Sequence, residues 1–347
     1  MNTNSFALYR LPGDDHYVEL IQTVGDPQVL QSVEQLDGKQ GFVLAPFAVS
    51  DDCPLLLLQP DSVSRLPLSE FPPDMVSDIP EDNVMFQEDN KETYSEDFRS
   101  FYTHIKEGEF DKLVLARRAV DHVRLAEEPR LLFLRACIFY PRMFVALIHT
   151  PVSGTWLTAT PEILLEGGMG SYHTISLAGT MGLWGSTMWS DKNISEQHYV
   201  SSYIADCIKR FGCQCEQNGP YTVTAGSLRH LRSDFYFQLP DESRLGTFLR
   251  QLYPTPAVSG MPKEKSVRFI CEHEHAGRRY YSGFMGPLSM QGETHLYVSL
   301  RCMQLFGTRY ELYAGGGLLA ESDERLEWKE TEAKMQTMRR CYIKRMS

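Results

Sequence analysis

The order of strand-like and helix-like segments constrains the fold of this 347-residue chain more than any other feature. Residues 112–120, 143–148 and 295–303 are short and largely apolar, as strands are. Residues 92–107, 193–211 and 263–272 have the spacing of helices. The two kinds of segment alternate irregularly, and several spacings suit hairpins. The pattern therefore favours a mixed α+β architecture over a doubly wound sheet.

Two of these segments carry polar side chains at positions that need an explanation. In the strand predicted at 295–303, Tyr297, Ser299 and Arg301 share one face. In the helix predicted at 193–211, Glu196 lies one turn before Val200 on the apolar stripe. Burying an unpaired carboxylate is costly, so we expect Glu196 to have a partner.

A change in composition marks a connection near the N-terminus. Residues 66–83 are rich in Pro, Asp and Ser, which favour turns and loops over strands and helices. We predict an N-terminal strand-rich segment over residues 1–90 and a catalytic domain over residues 91–347. The two are expected to pack together as one structural unit.

Composition and charge exclude several kinds of partner. The net charge of −11 argues against nucleic acid or an anionic membrane surface. The longest apolar stretches, such as residues 54–58, are too short to span a bilayer. No basic segment followed by an apolar run stands at the N-terminus, so we expect a cytoplasmic protein. The eight scattered cysteines are then expected to be free thiols.

The C-terminal region contains a candidate ligand site. Glu327, Glu330 and Lys334 fall within about 60° of one another on a helix, shortly after a glycine run at residues 314–317. Carboxylates, an ammonium group and a loop of exposed backbone N–H groups suit a divalent cation and an anionic substrate. Taken alone, this segment is explained better by a solvated charged helix after a flexible loop.

Eight motifs in colinear order resemble those of the chorismate-utilising enzymes, which include isochorismate, salicylate, anthranilate and aminodeoxychorismate synthases. The resemblance spans roughly residues 94–338. The motifs lie at residues 110–117, 159–165, 177–180, 252–262, 281–286, the strand of Arg301, 314–317 and 327–334. The resemblance implies an α+β fold with two large, mainly antiparallel sheets facing each other and helices outside.

Two positions relate the chain to one branch of this family. Enzymes that add water resemble it in having a lysine where Lys112 stands, whereas ammonia-using members usually have glutamine. Aminodeoxychorismate synthases have a nucleophilic lysine where Ala178 stands. The resemblance thus implies a Mg²⁺-dependent isochorismate synthase for menaquinone or siderophore biosynthesis, monomeric and without a glutaminase subunit. A salicylate synthase and a non-catalytic chorismate-binding protein remain open alternatives.

The same resemblance assigns roles to individual residues. It implies that Lys112 is the general base that activates water and that Glu162 is the general acid that protonates the departing C4 hydroxyl. A lysine base must be partly neutral near pH 7, so we expect Lys112 to be desolvated in a closed site.

The implied Mg²⁺ ligands are Glu196 and Glu330, with Glu327 holding metal-bound water. The groups implied to bind the substrate are Thr180, Tyr281, Arg301, Gly315, Gly316, Gly317 and Lys334. The chain departs from the family pattern at Gln197, Tyr253 and Gly277. Glu274 matches a family position, but the sequence gives it no chemical role.

Overall fold

The computed structural model describes residues 4–70, 84–87, 91–182, 188–225 and 228–343. The helices in this part of the chain are α1 (Lys91–Lys106), α2 (Pro129–Phe139), α3 (Asp191–Arg210), α4 (Leu245–Leu252), α5 (Lys263–His273) and α6 (Glu324–Arg339). Short 3-10 helices occur at Val33–Leu36, Leu68–Glu70 and Glu242–Arg244.

The first strands along the chain are β1 (Ser5–Arg10), β2 (His16–Gln22), β3 (Gln28–Leu30), β4 (Gly41–Ala45), β5 (Leu55–Leu58), β6 (Ser62–Pro67), β7 (Val84–Gln87), β8 (Lys112–Val123), β9 (Phe144–Thr150) and β10 (Gly154–Thr160). The later strands are β11 (Ile163–Gly168), β12 (Ser171–Gly182), β13 (Cys215–Ala225), β14 (Leu228–Gln238), β15 (Gly260–Met261), β16 (Phe284–Leu288), β17 (Glu293–Val298), β18 (Cys302–Phe306) and β19 (Arg309–Leu318).

The described strands form two antiparallel sheets. The first has the order β15-β8-β19-β18-β10-β9-β1-β2-β6, with β7 also pairing with β8. The second has the order β13-β14-β12-β11-β17-β16-β4-β5-β3. Strands from the first 70 residues thus add to the edges of both sheets. The mixed α+β architecture with two large antiparallel sheets is the one predicted from the sequence.

The two sheets face each other across an apolar core, and the helices cover their outer faces. Between the sheets, the rings of Phe144 (β9) and Tyr297 (β17) stack with centroids 4.3 Å apart. Apolar residues of α3 and α4 pack on the second sheet, and those of α2 and α6 pack on the first. Helices α1 and α5 pack against β8. None of the helices described is long and apolar enough to cross a membrane.

The chain passes between the two sheets at two neighbouring places. Pro161 and Glu162 connect β10 of the first sheet to β11 of the second, and residues 299–301 connect β17 of the second sheet to β18 of the first. The two crossings are hydrogen-bonded to each other. Val298 donates its N–H to the Glu162 carbonyl at 2.9 Å, and Ala159 donates to the Arg301 carbonyl at 3.1 Å.

The prediction of one continuous strand over residues 295–303 is wrong. Strand β17 ends at Val298, β18 begins at Cys302, and Arg301 between them has a left-handed backbone with φ of 45°. The residues on both sides of the break are apolar and buried, so the sequence resembles that of one strand. As a result, Tyr297, Ser299 and Arg301 do not share a face of one strand.

The sequence suggested that the glycine run is a loop, and this prediction is also wrong. Ala314 to Gly317 belong to β19 and pair with β8 in regular register, from Arg117 to Val114. Strand β18 pairs with β19 only as far as Tyr313. Among the described strands, none therefore borders the other edge of β19 at the glycines.

Other predictions from the sequence are confirmed. Helices α1, α3 and α5 lie within two residues of their predicted bounds. All eight cysteines are free. Of the connection predicted at residues 66–83, the structure describes the end of β6 and the following 3-10 helix, and residues 71–83 lie outside the described residues.

Candidate active site

A cavity of about 60 Å³ lies between the sheets, where β8, β12, β14 and β19 approach the two crossings and helices α3 and α6. It brings together most of the residues predicted from the sequence. Those that line it are Glu162, Thr180, Glu196, Tyr281, Arg301, Gly315, Gly316, Gly317 and Lys334. The remaining predicted residues contact residues that line the cavity. They are Lys112, Glu327 and Glu330.

Lys112, the first residue of β8, is fully buried with 0% exposure. Its Nζ lies 3.0 Å from Oε1 of Glu196. The geometry does not make a well-aligned hydrogen bond, and Nζ has no hydrogen-bond partner among the described residues. The predicted desolvation of Lys112 is therefore confirmed, and the partner expected for Glu196 is this same lysine.

Glu162 lies at the first crossing and is 4% exposed. Burial raises the pKa of its carboxyl to about 7, although the nearby charges of Lys112, Lys334 and Arg301 oppose this shift. A carboxyl with this pKa is partly protonated near neutral pH and can donate a proton. The crossing also explains why this carboxyl follows Pro161 and precedes an apolar run, since the backbone passes through the core there.

Each of the three acidic residues predicted at the metal site has a lysine partner. Besides the Lys112–Glu196 pair, Lys334 Nζ lies 2.6 Å from Glu330 Oε1, and Lys192 forms an ion pair with Glu327. Burial alone would raise the pKa of Glu330, but Lys334 lowers it to about 2. Burial raises the pKa of Glu327, against the opposing effect of Lys192.

Helix α6 holds two of these carboxylates at the cavity. Asp323 caps its N-terminus by accepting from the N–H of Leu326 at 3.0 Å. Glu327, Thr331 and Met335 are buried at four-residue spacing, so the inward stripe of the helix begins with a carboxylate. The segment taken alone suited a solvated charged helix, whereas the rest of the chain favoured a ligand site, and the burial of this stripe agrees with the second interpretation.

The glycines of β19 allow side chains to lie directly against the strand. A Cβ atom added at Gly317 would lie 2.1 Å from Glu196 Oε1 and 2.9 Å from Lys112 Cε. One added at Gly316 would lie 2.9 Å from Glu327 Oε2. Any larger residue would displace these groups, so glycine is required by close approach.

Arg301 is held at the second crossing by a residue that the sequence analysis missed. His230 of β14 places Nδ1 3.1 Å from the Gly179 carbonyl and Nε2 3.1 Å from Arg301 Nη2. Burial, followed by the charges of Arg301 and Lys334, lowers the His230 pKa to about 3. The neutral ring therefore donates through Nδ1 to the carbonyl and accepts from Arg301 through Nε2.

The other predicted substrate-binding groups lie around Arg301. Thr180 donates its hydroxyl to Glu330, and Lys334 Nζ donates to the Gly315 carbonyl at 2.8 Å. The Tyr281 hydroxyl lies against Gly315, 2.9 Å from where a Cβ would stand. Cationic and hydroxyl donors therefore surround one side of the cavity, an arrangement that can hold carboxylates.

Lys192 is a second residue that sequence analysis missed. It lies four residues before Glu196 in α3, so both side chains extend from one face of that helix. The four-residue spacing from Glu196 was the only feature of the sequence that pointed to Lys192. Its partner Glu327 lies 135 residues away in α6, and only the packing of the two helices brings them together.

Glu274, to which the sequence gave no role, forms a buried ion pair. Its carboxylate accepts from Arg278 Nε and Nη2 at 2.7 Å and from the Ala116 N–H at 2.7 Å. Arg278 in turn donates to the carbonyls of Val114 and Val258, which line the cavity. The pair therefore supports the cavity wall from behind.

Together, the fold and the cavity define a protein suited to acid–base chemistry on an anionic molecule. The chain belongs to the chorismate-binding enzyme family, whose model matches residues 68–342. This confirms the resemblance found in the sequence.

Named relatives agree with this assignment. The chain is 30% identical over 254 residues to the isochorismate synthase MenF of Escherichia coli (strain K12), covering 68% of this chain and 56% of that protein. It is 27% identical over 203 residues to the isochorismate synthase EntC of the same organism, covering 55% and 52%. The chain thus spans little more than half the length of these curated relatives.

A solved structure shows the same fold. The menaquinone-specific isochorismate synthase MenF from Escherichia coli superposes with a TM-score of 0.81, covering 98% of this chain and 89% of that one. The sequence identity in this superposition is 20%, so the comparison concerns the fold alone.

Proposed function

We propose that this protein is an isochorismate synthase, which converts chorismate to isochorismate. The observation that carries the proposal is that Glu162, a buried carboxyl with a pKa of about 7, shares one closed site with the fully buried Lys112. A carboxyl that can donate a proton and an amine side chain that can serve as a base are thus both buried at this site. The named relatives support the same activity.

Substrate binding uses the cationic side of the cavity. Arg301, already oriented by His230, offers its guanidinium to a carboxylate of chorismate. Lys334 and the Tyr281 hydroxyl add further donors at the edge of β19. These contacts orient the ring between the base and the acid, and the surrounding core excludes bulk water.

The chemistry is an addition and an elimination on one ring. In its free-amine form, Lys112 accepts a proton from a water molecule as the water oxygen bonds to C2. The ring double bonds shift, and the bond between C4 and its hydroxyl oxygen breaks. Glu162 gives its proton to that oxygen, which leaves as water. Return of the proton from Lys112 to Glu162 restores both groups.

The residues present fit a Mg²⁺ ion. Carboxylate oxygens are the ligands that Mg²⁺ prefers, and Glu196, Glu330 and Glu327 would hold it. Oε2 of Glu327 is buried without a hydrogen-bond partner among the described residues. A cation or its bound water would supply that partner. When bound, the ion supplies positive charge that orients and polarises the ring carboxylate.

The test is chromatography of the products after incubation of the pure protein with chorismate, in Mg²⁺ and in excess EDTA. Isochorismate formed only with Mg²⁺ is the expected result. Salicylate with pyruvate would replace the proposal by a salicylate synthase. Absence of turnover in both conditions, with chorismate binding retained, would indicate a non-catalytic binding protein.

We further propose that the isochorismate serves menaquinone biosynthesis, with the protein acting as a cytoplasmic monomer. The support is the sequence similarity to MenF of Escherichia coli, which is a menaquinone-specific isochorismate synthase. Deleting the coding gene should lower cellular menaquinone, measured by mass spectrometry, and light scattering should give the mass of one chain. Unchanged menaquinone with loss of a catechol siderophore would assign the product to the other pathway.

A further inference from the structure

Gln197 is a buried residue of α3 for which the proposed reaction has no use. It is 2% exposed and follows Glu196 directly. Its Oε1 accepts from the N–H of Ala178 at 2.9 Å, and its Nε2 donates to Ser176 Oγ at 2.7 Å. One side chain thus joins the helix that carries Glu196 to the strand that forms the cavity wall.

The strand at this place is irregular. The register of β12 against β14 shifts between Ala178 and Thr180, and Gly179 within this bulge has φ of 71°. Strand β11 pairs with β12 only from Ser171 to His173. The amide of Gln197 therefore satisfies an N–H that no neighbouring strand bonds in the described part of this sheet, and buried N–H groups need such partners.

Helix α3 lies directly on the bulge. A Cβ at Gly179 would come within 3.1 Å of Asn193, and the Asn193 side chain donates to the Thr180 carbonyl at 3.4 Å. Ala178, Gly179 and Thr180 all line the cavity. The spacing between α3 and this bulge therefore sets how far the Glu196 carboxylate reaches into the site.

We propose that Gln197 is a positioning residue for the cation site. It fixes the bulge of β12 against α3 and so sets the position from which Glu196 can bind a Mg²⁺ ion. This role rests on the proposed function, because it requires that Glu196 is a metal ligand. Residues behind metal ligands commonly change metal affinity by roughly 10- to 100-fold when altered.

The test measures Mg²⁺ binding without chorismate, by calorimetric titration of the full chain. Gln197→Met keeps the volume but removes the hydrogen bonds of the Gln197 side chain, and it should weaken Mg²⁺ binding by about 10-fold or more. Gln304→Met is the matched control. Gln304 is a buried glutamine of β18 that donates to the Ser153 carbonyl at 3.0 Å outside the cavity, and its loss should leave Mg²⁺ affinity unchanged.

Two further readouts separate positioning from general stability. Hydrogen exchange of the Ala178 amide should accelerate in Gln197→Met and stay slow in the control. Gln197→His keeps one donor and one acceptor and should recover most of the Mg²⁺ affinity. If Gln197→Met loses stability as the control does but binds Mg²⁺ like the wild type, the positioning role is wrong while the proposed function stands. A wild type that binds no Mg²⁺ would remove the metal from the proposed function, and this role with it.

Discussion

The ammonium nitrogen of Lys112 lies 3.0 Å from a carboxylate oxygen of Glu196, so the proposed base and a proposed metal ligand neutralise each other. Lys192 and Lys334 pair with Glu327 and Glu330 in the same way. The site thus gives each of the three carboxylates an internal cation in the absence of a metal ion. A cation that binds these carboxylates must compete with the lysines.

Replacement of Lys112 separates its two roles. Lys112→Met should lower kcat by about 10²- to 10⁴-fold, because water loses its base, while Mg²⁺ affinity is retained or increased, because Glu196 loses its competitor. Product chromatography and calorimetry measure the two effects. Lys265→Met, which removes an exposed lysine paired with Glu109, is the control and should change neither. Turnover within tenfold of wild type would exclude Lys112 as the base.

The pH dependence of turnover should follow Glu162. The acid must be protonated to act, and its pKa is about 7, so kcat should fall as the pH rises through about 7. Glu162→Gln should lower kcat by about 10²- to 10⁴-fold and remove this alkaline limb. A variant that keeps both the wild-type rate and the wild-type profile would contradict the assignment.

Stability should also fall as this carboxyl ionises at rising pH. The pKa of Glu162 rises from 4.5 in the unfolded chain to about 7 in the fold, so the folded state binds more protons between these values. Ionised Glu162 therefore costs stability above about pH 4.5, up to about 3 kcal/mol near pH 8. Denaturant unfolding at pH 5 and pH 8 should show Glu162→Gln more stable than wild type only at pH 8. Equal effects at both pH values would mean that Glu162 is not desolvated in this way.

Removal of Lys192 should expose the competition between lysine and metal. Lys192→Met leaves the buried Glu327 carboxylate without its cation, so the metal-free protein should unfold at a lower temperature. Added Mg²⁺ should then raise its Tm by more than it raises that of wild type. Lys209→Met, at an exposed position of the same helix, serves as the control in the same thermal titration. Equal Mg²⁺-induced shifts in all three proteins would argue against a metal at Glu327.

A methyl group on β19 should disturb the site without disturbing the sheet. Gly317→Ala places a Cβ 2.1 Å from Glu196 Oε1, so the carboxylate must move, and Mg²⁺ affinity should fall by at least about tenfold. Gly277→Ala, where nothing lies within 4 Å of the added atom, should bind Mg²⁺ as the wild type does. Wild-type affinity in Gly317→Ala would show that Glu196 does not hold the metal.

Local patterns in the sequence were sufficient for several elements. The apolar stripe at Val200, Ile204 and Ile208 predicts α3 because one face of that helix packs on the second sheet. The unusual position of Glu162 beside Pro161 was also visible. Such features depend on neighbours in the sequence, which a single chain displays directly.

Features that depend on the pairing of distant elements could not be predicted. The hydrophobic pattern does not reveal the break between Val298 and Cys302, since the sequence on both sides is apolar and buried. His230, the partner of Arg301, lies in a strand, and Lys192, the partner of Glu327, lies in a helix. The order of the two sheets sets which elements lie beside them. Periodicity identifies a buried face, but it does not identify the residue opposite.

Because of the two crossings, the geometry of the proposed active site depends on how the core between the sheets packs. Glu162 and Arg301 stand where the backbone leaves one sheet for the other, so the packing between the sheets affects where the proposed proton donor lies relative to the guanidinium proposed to bind a carboxylate. Facing sheets are held apart by interlocking side chains such as Phe144 and Tyr297. Making such a side chain larger or smaller would change the spacing of the two sheets, and with it the positions of Glu162 and Arg301. Catalytic alignment would be lost by such a change well before the protein unfolds.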